Sequence, residues 1–146
     1  MLWPVAISYK IERLPGRGEE MIVREILIYV VDDDEHVRDS IESLLEAHGF
    51  TVLGFSSGET FLDHPRAARR SCLILDVEMP GLNGLEVLER ICGDRLIAFT
   101  VLMTARPTAR VRETVARAGV ALLEKPFAPS HLVSTIMNGL RPGLLH

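Results

Sequence analysis

Leu73–Gly81 reads LILDVEMPG. An apolar run carries one carboxylate, Asp76, to its end, and the turn Pro80-Gly81 follows closely. A short apolar run bounded by turn residues fits a buried strand of a parallel sheet. In open sheets of that kind, ligands gather beyond the carboxyl ends of the strands. Asp76 stands where chemistry is expected, and its expected role is the nucleophile of a phosphoryl-transfer site.

The same pattern repeats on both sides. Ile26–Val31 (ILIYVV) is an apolar, β-rich run that ends in Asp32, Asp33, Asp34 and Glu35. Val37, Ile41, Leu44 and Leu45 then recur at helical spacing, and Gly49 is a helix stop. Thr51–Phe55 is a second strand, and a short helix through Phe61 and Leu62 ends before Pro65. A basic loop with Arg66, Arg69 and Arg70 leads into the third strand, Cys72–Asp76. After Asn83-Gly84 a helix turns Leu85, Leu88 and Ile91 inward. Ala98–Met103 is the fourth strand, ending at Thr104. Pro107 and Thr108 open a helix with Val111, Val115 and Ala118 on one face, closed by Gly119. Val120–Leu123 is the fifth strand, Glu124-Lys125-Pro126 follows, and a last helix spans about Pro129–Leu140. Strands alternating with helices imply an α/β three-layer sandwich on a parallel sheet.

At 146 residues the chain suits one domain with a single core. Hydrophobic residues at 47% and charged residues at 25% are globular values and argue against disorder. A net charge of −4 gives no global nucleic-acid footprint. Cys72 and Cys92 lack CxxC spacing, so neither a disulfide framework nor a zinc site is expected, and a reducing cytoplasm fits. The N-terminus lacks the features of a signal peptide, and no run is long enough to span a bilayer. Residues 1–24 lack sustained periodicity and read as a loosely ordered extension. The expected folded unit is 25–141, with a tail at 142–146 and no room for a second domain.

A doubly wound sheet of order 2-1-3-4-5, the flavodoxin-like arrangement, would gather Asp32, Asp33, Asp76, Thr104 and Lys125 into one cleft. Three crowded carboxylates repel and need a cation to relieve them. Mg²⁺ suits such a set, since it takes one or two carboxylates, keeps waters and binds phosphate oxygens. A carboxylate can attack a phosphoryl group to form an aspartyl phosphate. The metal and Lys125 would neutralise charge on the transferring oxygens, and the Thr104 hydroxyl would donate to one of them.

These residues resemble the receiver domains of bacterial two-component response regulators, over Ile26 to about Leu140. The matching motifs are VVDDDE with Asp32 and Asp33, LDVEMPGLNG around Asp76, LMTA with Thr104, and EKPF with Lys125. Ser56-Ser57, Phe61-Leu62 and the CLILD lead-in are most similar to the receivers of nitrogen-fixation-type regulators. The resemblance implies that Asp76 accepts phosphate from a histidine kinase or a histidine phosphotransfer protein. It implies Asp33 as a direct Mg²⁺ ligand, Asp32 partly through water, and the Glu78 backbone carbonyl as a further ligand. It implies Thr104 as the switch hydroxyl, Lys125 as the phosphate-pairing lysine and a cis Lys125–Pro126 bond. Glu78 and Arg106 occupy positions at which family members tune dephosphorylation. Receivers usually carry an aromatic residue three before the lysine, where this chain has Leu122, and the stretch from Gly119 to Lys125 is one residue shorter than usual.

The output face in this family is the fourth helix, fifth strand and fifth helix. Arg106, Arg110 and Arg117 fall on one side of that helix and suit a protein partner there; a homodimer is compatible. Direct nucleic-acid binding is not expected without aromatic interleaving or a helix-turn-helix, and no membrane partner is expected. The expected function is a stand-alone phosphoacceptor receiver that catalyses only its own phosphorylation and dephosphorylation. A phosphorylation-independent interaction module of the same fold is the rival reading. An aspartyl-intermediate phosphatase is weaker, because such enzymes need an aspartate where Glu78 stands. Asp34 reads as a helix cap, the histidines as surface groups, and Cys72 and Cys92 as packing residues.

Overall fold

Apolar residues run almost unbroken through Leu27–Val31 (LIYVV) and Ser71–Asp76 (SCLILD), and every residue of both strands is buried. Strands covered on both faces belong at the middle of a parallel sheet. The structure, a computed structural model, describes residues 11–13, 20–22, 26–67 and 70–140. In chain order its elements are β1 (Ile11–Arg13), β2 (Glu20–Ile22), β3 (Leu27–Val31), α1 (Glu35–Ala47), β4 (Thr51–Phe55) and α2 (Gly58–Asp63). They continue as β5 (Ser71–Asp76), α3 (Gly84–Arg90), β6 (Ile97–Thr104), α4 (Ala109–Ala118), β7 (Ala121–Glu124) and α5 (Pro129–Gly139).

The main sheet has the order β4-β3-β5-β6-β7, all parallel, which is 2-1-3-4-5 when its strands are counted along the chain. The expected flavodoxin-like architecture is therefore the observed one. Alternation along each strand sorts its side chains into two cores. Ile28, Val30, Ile74 and Val101 face Ile41 and Leu45 of α1 and Leu132 and Ile136 of α5. Tyr29, Val31, Leu73, Leu75 and Leu102 face Phe61 of α2, Val87 of α3 and Val111 of α4. Each such side chain, fully buried, contributes about 1.5–3 kcal/mol.

Several expectations shift. β5 and β6 each start one residue earlier than expected, at Ser71 and Ile97, and β6 includes Thr104. β5 ends at Asp76 as expected, while β7 starts and ends one residue later. On α3 the fully buried side chain is Val87; Leu85 and Leu88 only pack against that core from its edge. Ala118 is exposed, so α4 is anchored chiefly by Val111. Arg106 precedes α4 rather than lying on it, although Arg106, Arg110 and Arg117 are all exposed. Cys72 is buried, and burial pushes its thiol up to about 12, but Cys92 is exposed and is not a packing residue. His48 is half-buried, its Nδ1 at 2.9 Å from the Leu44 carbonyl, whereas His36, His64 and His131 are exposed.

Within the 1–24 extension, β1 and β2 form a small antiparallel ladder, Ile11 opposite Ile22, which the lack of periodicity did not suggest. The rest of the extension, Arg69 of the basic loop, His146 and the 142–146 tail lie outside the described residues. Among the described residues, no helix is long and apolar enough to cross a membrane.

Candidate functional site

Parallel pairing brings the strand ends to one rim. Asp76 is in register with Met103, and Thr104 with Glu124. Backbone hydrogen bonds then carry the pairing past the strand ends, from Val77 N–H to the Met103 carbonyl (2.9 Å) and from Lys125 N–H to the Thr104 carbonyl (2.8 Å). Asp32 follows β3 directly, its N–H donating to the Phe55 carbonyl at 3.1 Å. All five residues expected in the cleft are at this rim.

Two helix starts shape its floor. Asp34 caps α1, accepting from the N–H groups of His36 (2.9 Å) and Val37 (3.2 Å), as its sequence position suggested. Asn83 caps α3 in a reciprocal box: its side chain accepts from Glu86 N–H (2.9 Å), and Glu86 accepts from Asn83 N–H (3.1 Å). Gly84 lies so close to the Asp76 carbonyl that a Cβ there would collide with that oxygen and with the Val77 backbone. Gly81, at φ +72°, makes the turn that brings the chain back. The Lys125–Pro126 peptide is cis, as the resemblance implies.

Lys125 reaches two carboxylates. Its Nζ donates to Asp32 Oδ2 at 3.1 Å and lies 3.2 Å from Asp76 Oδ1. The second contact is an ion pair without hydrogen-bond geometry, so buried Asp76 Oδ1 has no hydrogen-bond partner. Burial, reinforced by the neighbouring Asp32 charge and opposed by Lys125, pushes the Asp76 carboxyl up to about 7. Burial pulls the Lys125 ammonium down, but Asp76 and Asp32 outweigh it and leave its pKa above the ordinary value. Asp32 is also held from behind: its Oδ1 accepts from Asp34 N–H (2.9 Å), and its carbonyl accepts from Arg38 Nη1 (2.8 Å).

One carboxylate oxygen each of Asp32, Asp33 and Asp76 lies within 4.8 Å of the others. The donor set fits Mg²⁺. It is all oxygen, it joins two buried carboxylates to one exposed one, and its exposed side leaves room for water. Asp76 Oδ1, which accepts no hydrogen bond and is ion-paired with Lys125, is an acceptor that a cation would further satisfy.

Thr104, fully buried, donates its hydroxyl hydrogen to Glu78 Oε2 at 2.7 Å. The next amide, Ala105 N–H, donates to Glu78 Oε1 at 2.7 Å, and Arg106 N–H donates to Thr104 Oγ1 at 3.0 Å. The sequence marked Glu78 for its backbone carbonyl and its charge, but not for a side chain clamped on the threonine. It also missed Ala105, whose contribution is a backbone amide, and Arg38, whose partner is a carbonyl. Arg38 carries no motif signal, and Ala105 stands in the LMTA motif, where its adjacency to Thr104 could have pointed to its amide. Leu122, paired with Leu102, is half-buried against the core beneath α2, α3 and α4.

A parallel sheet of this order, with clustered acids at the ends of its first and third strands and a lysine reaching them from beyond its last, defines a receiver. Residues 28–137 match the response regulator receiver domain family, and the chain belongs to it. Among its relatives is the transcriptional regulatory protein FixJ of Bradyrhizobium diazoefficiens, 36% identical over 78% of this chain and 56% of the relative. Response regulator protein TodT of Pseudomonas putida is 32% identical over 81% of this chain and 52% of its own length. The chain spans about half the length of the curated relatives it matches. Among solved structures, the response regulator StyR superposes with a TM-score of 0.69 at 36% identity, covering 80% of this chain and 59% of that one. Full-length FixJ from B. japonicum gives 0.67 at 34% identity, covering 78% and 59%.

Receivers are signalling modules of two-component systems rather than conventional enzymes, and phosphorylation with Mg²⁺ is general to the family.

Proposed function

We propose that this receiver takes a phosphoryl group on Asp76 from a histidine kinase or a histidine phosphotransfer protein and thereby switches a partner-binding surface. The observation that carries the reading is the Asp76 carboxylate itself: buried, with an oxygen that accepts no hydrogen bond, paired with the Lys125 ammonium, and beside two further carboxylates. Asp76 attacks the donor phosphorus, an acyl–phosphate bond forms, and the donor's phosphorus–nitrogen bond breaks, its electron pair leaving with the imidazole. Lys125 stays paired with the charge that builds on the phosphoryl oxygens.

Asp33, Asp76 and the Glu78 backbone carbonyl would hold Mg²⁺ directly. Asp32 would do so partly through water, in keeping with the hydrogen bonds that both of its carboxylate oxygens already accept. Bound there, Mg²⁺ supplies charge neutralisation at the transferring group. The surface of α4, β7 and α5, with exposed Arg106, Arg110 and Arg117, is the proposed protein-docking face.

Acetyl phosphate with Mg²⁺ tests the reading: wild type should gain one phosphate and Asp76→Asn none. Equal labelling of the two, or no labelling of wild type, overturns it.

A second reading has one observation in its favour. With Glu78 on Thr104 and Ala105, the chain resembles an interaction module that needs no phosphate. Mg²⁺ titration discriminates, since such a module should show no response at Asp32, Asp33 or Asp76.

A further inference from the structure

The Glu78 carboxylate is held by two adjacent donors as a small oxyanion would be. Its two oxygens accept from the Thr104 hydroxyl and the Ala105 amide, each at 2.7 Å. Those are short, charge-assisted hydrogen bonds. Thr104 is further oriented by the Arg106 amide, so the hydroxyl hydrogen is committed to the carboxylate. Thr104 ends β6 and Ala105 follows it, at the same rim as Asp76 at the end of β5. A phosphoryl group on Asp76 needs donors for its oxygens at this rim, and these two are taken.

Glu78 can leave. It is exposed and sits in the loop between β5 and α3, so its side chain can turn to water while the backbone stays in place. No cation is paired with it among the described residues; Lys125 is engaged by Asp32 and Asp76.

We propose that the Glu78 side chain is a built-in occupant of the phosphoryl-oxygen subsite, which an incoming phosphoryl group must displace from Thr104 and Ala105. The inference rests on Asp76 being the phosphoacceptor. Activation then consists of one anion replacing another on donors already in position. Glu78 acts as a positioning residue that holds Thr104 turned to the site before phosphate arrives. It also selects against weakly bound anions, because any ligand must be worth more to these donors than the tethered carboxylate. Such an exchange needs little movement of Thr104, which is compatible with Leu122 packed against the core behind it.

The test titrates beryllofluoride, in the presence of Mg²⁺, into wild type, Glu78→Ala and Glu78→Asp, following the Ala105 amide by NMR. Before any titrant, the Ala105 proton should lie downfield in wild type and move upfield in both variants. Glu78→Ala should then bind beryllofluoride about tenfold more tightly. Glu78→Asp keeps the charge but loses the reach, so it should behave like Glu78→Ala. Equal midpoints for wild type and Glu78→Ala overturn the inference and leave the phosphoacceptor reading intact. So does a Glu78→Asp protein as weak as wild type, which would mean that charge alone sets the affinity. Tight binding by Glu78→Ala with none by wild type supports the inference in its strongest form. If none of the three proteins binds, the phosphoacceptor reading fails and the inference with it.

Discussion

Lys125 lies beyond the end of β7, yet its ammonium stands 3.2 Å from Oδ1 of Asp76 at the end of β5, with the whole of β6 between the two strands. That span makes Lys125 the counter-charge of the site, for no other ammonium or guanidinium pairs with Asp76 among the described residues. Lys125→Met should slow labelling by acetyl phosphate by about a hundredfold, as removal of a transition-state stabiliser does. The Lys125 side chain is 23% exposed, so the loss of stability should be about 1–2 kcal/mol, below the figure for a fully buried pair. Labelling rates and urea denaturation check the two effects.

Stability of the metal-free protein should depend on Asp76. Its folded carboxyl is raised to about 7 from an ordinary value of 3.8. Below pH ~4 the group is protonated in both states. Between ~4 and ~7 the unfolded chain ionises first and binds fewer protons, so stability falls as pH rises. Above ~7 the penalty is complete, at about 4 kcal/mol by the usual conversion. Asp76→Asn removes it. Thermal melts in EDTA should therefore show the variant gaining on wild type as pH rises from 5 to 8, and saturating Mg²⁺ should close the gap. Parallel pH profiles would contradict this.

Gly84→Ala should reverse the usual sign of that substitution. Inside a helix alanine gains about 0.5–1 kcal/mol over glycine, and even at Gly84, the first residue of α3, it would ordinarily be no worse. Here the methyl group meets the Asp76 carbonyl and the Val77 backbone, neither of which can yield as a side chain would. The expected result is a loss of about 2 kcal/mol by overpacking, with weaker Mg²⁺ binding because Asp76 is displaced. Denaturant midpoints and a Mg²⁺ titration read both.

Thr108→Ala should loosen α4 selectively. The helix fully buries only Val111, and Thr108 supplies its N-cap by accepting from Val111 N–H at 3.3 Å. Loss of such a cap costs about 1 kcal/mol. Hydrogen exchange should speed up through Ala109–Ala118 and stay unchanged in α1, whose cap is Asp34.

The sheet was legible because burial on both faces leaves no alternation to disguise. ILIYVV and CLILD could hardly be anything but inner strands, and their terminal acids marked the rim. Helix starts were legible where a short polar side chain caps them, as Asp34 does for α1 and Thr108 for α4. The inward face of α4 was misjudged at Ala118, because a periodic small residue carries no sign of whether a neighbour covers it. The β1–β2 ladder was missed since strands of three residues are too short to show a period.

Residue type and spacing along the chain determined the alternation of strands and helices, the order in which they occur, and the acids, hydroxyl and lysine at their ends. Those properties are local, set by burial periodicity and by turn and cap chemistry. Only the tertiary structure decided which donor each charge meets. Glu78 lies two residues from Asp76 in sequence, but its carboxylate is claimed by Thr104 and Ala105 on the neighbouring strand end. Lys125 is divided between two carboxylates that arrive from β3 and β5. A hydrogen bond between strand ends depends on sheet register and rotamer together, and neither is written in the spacing of a motif.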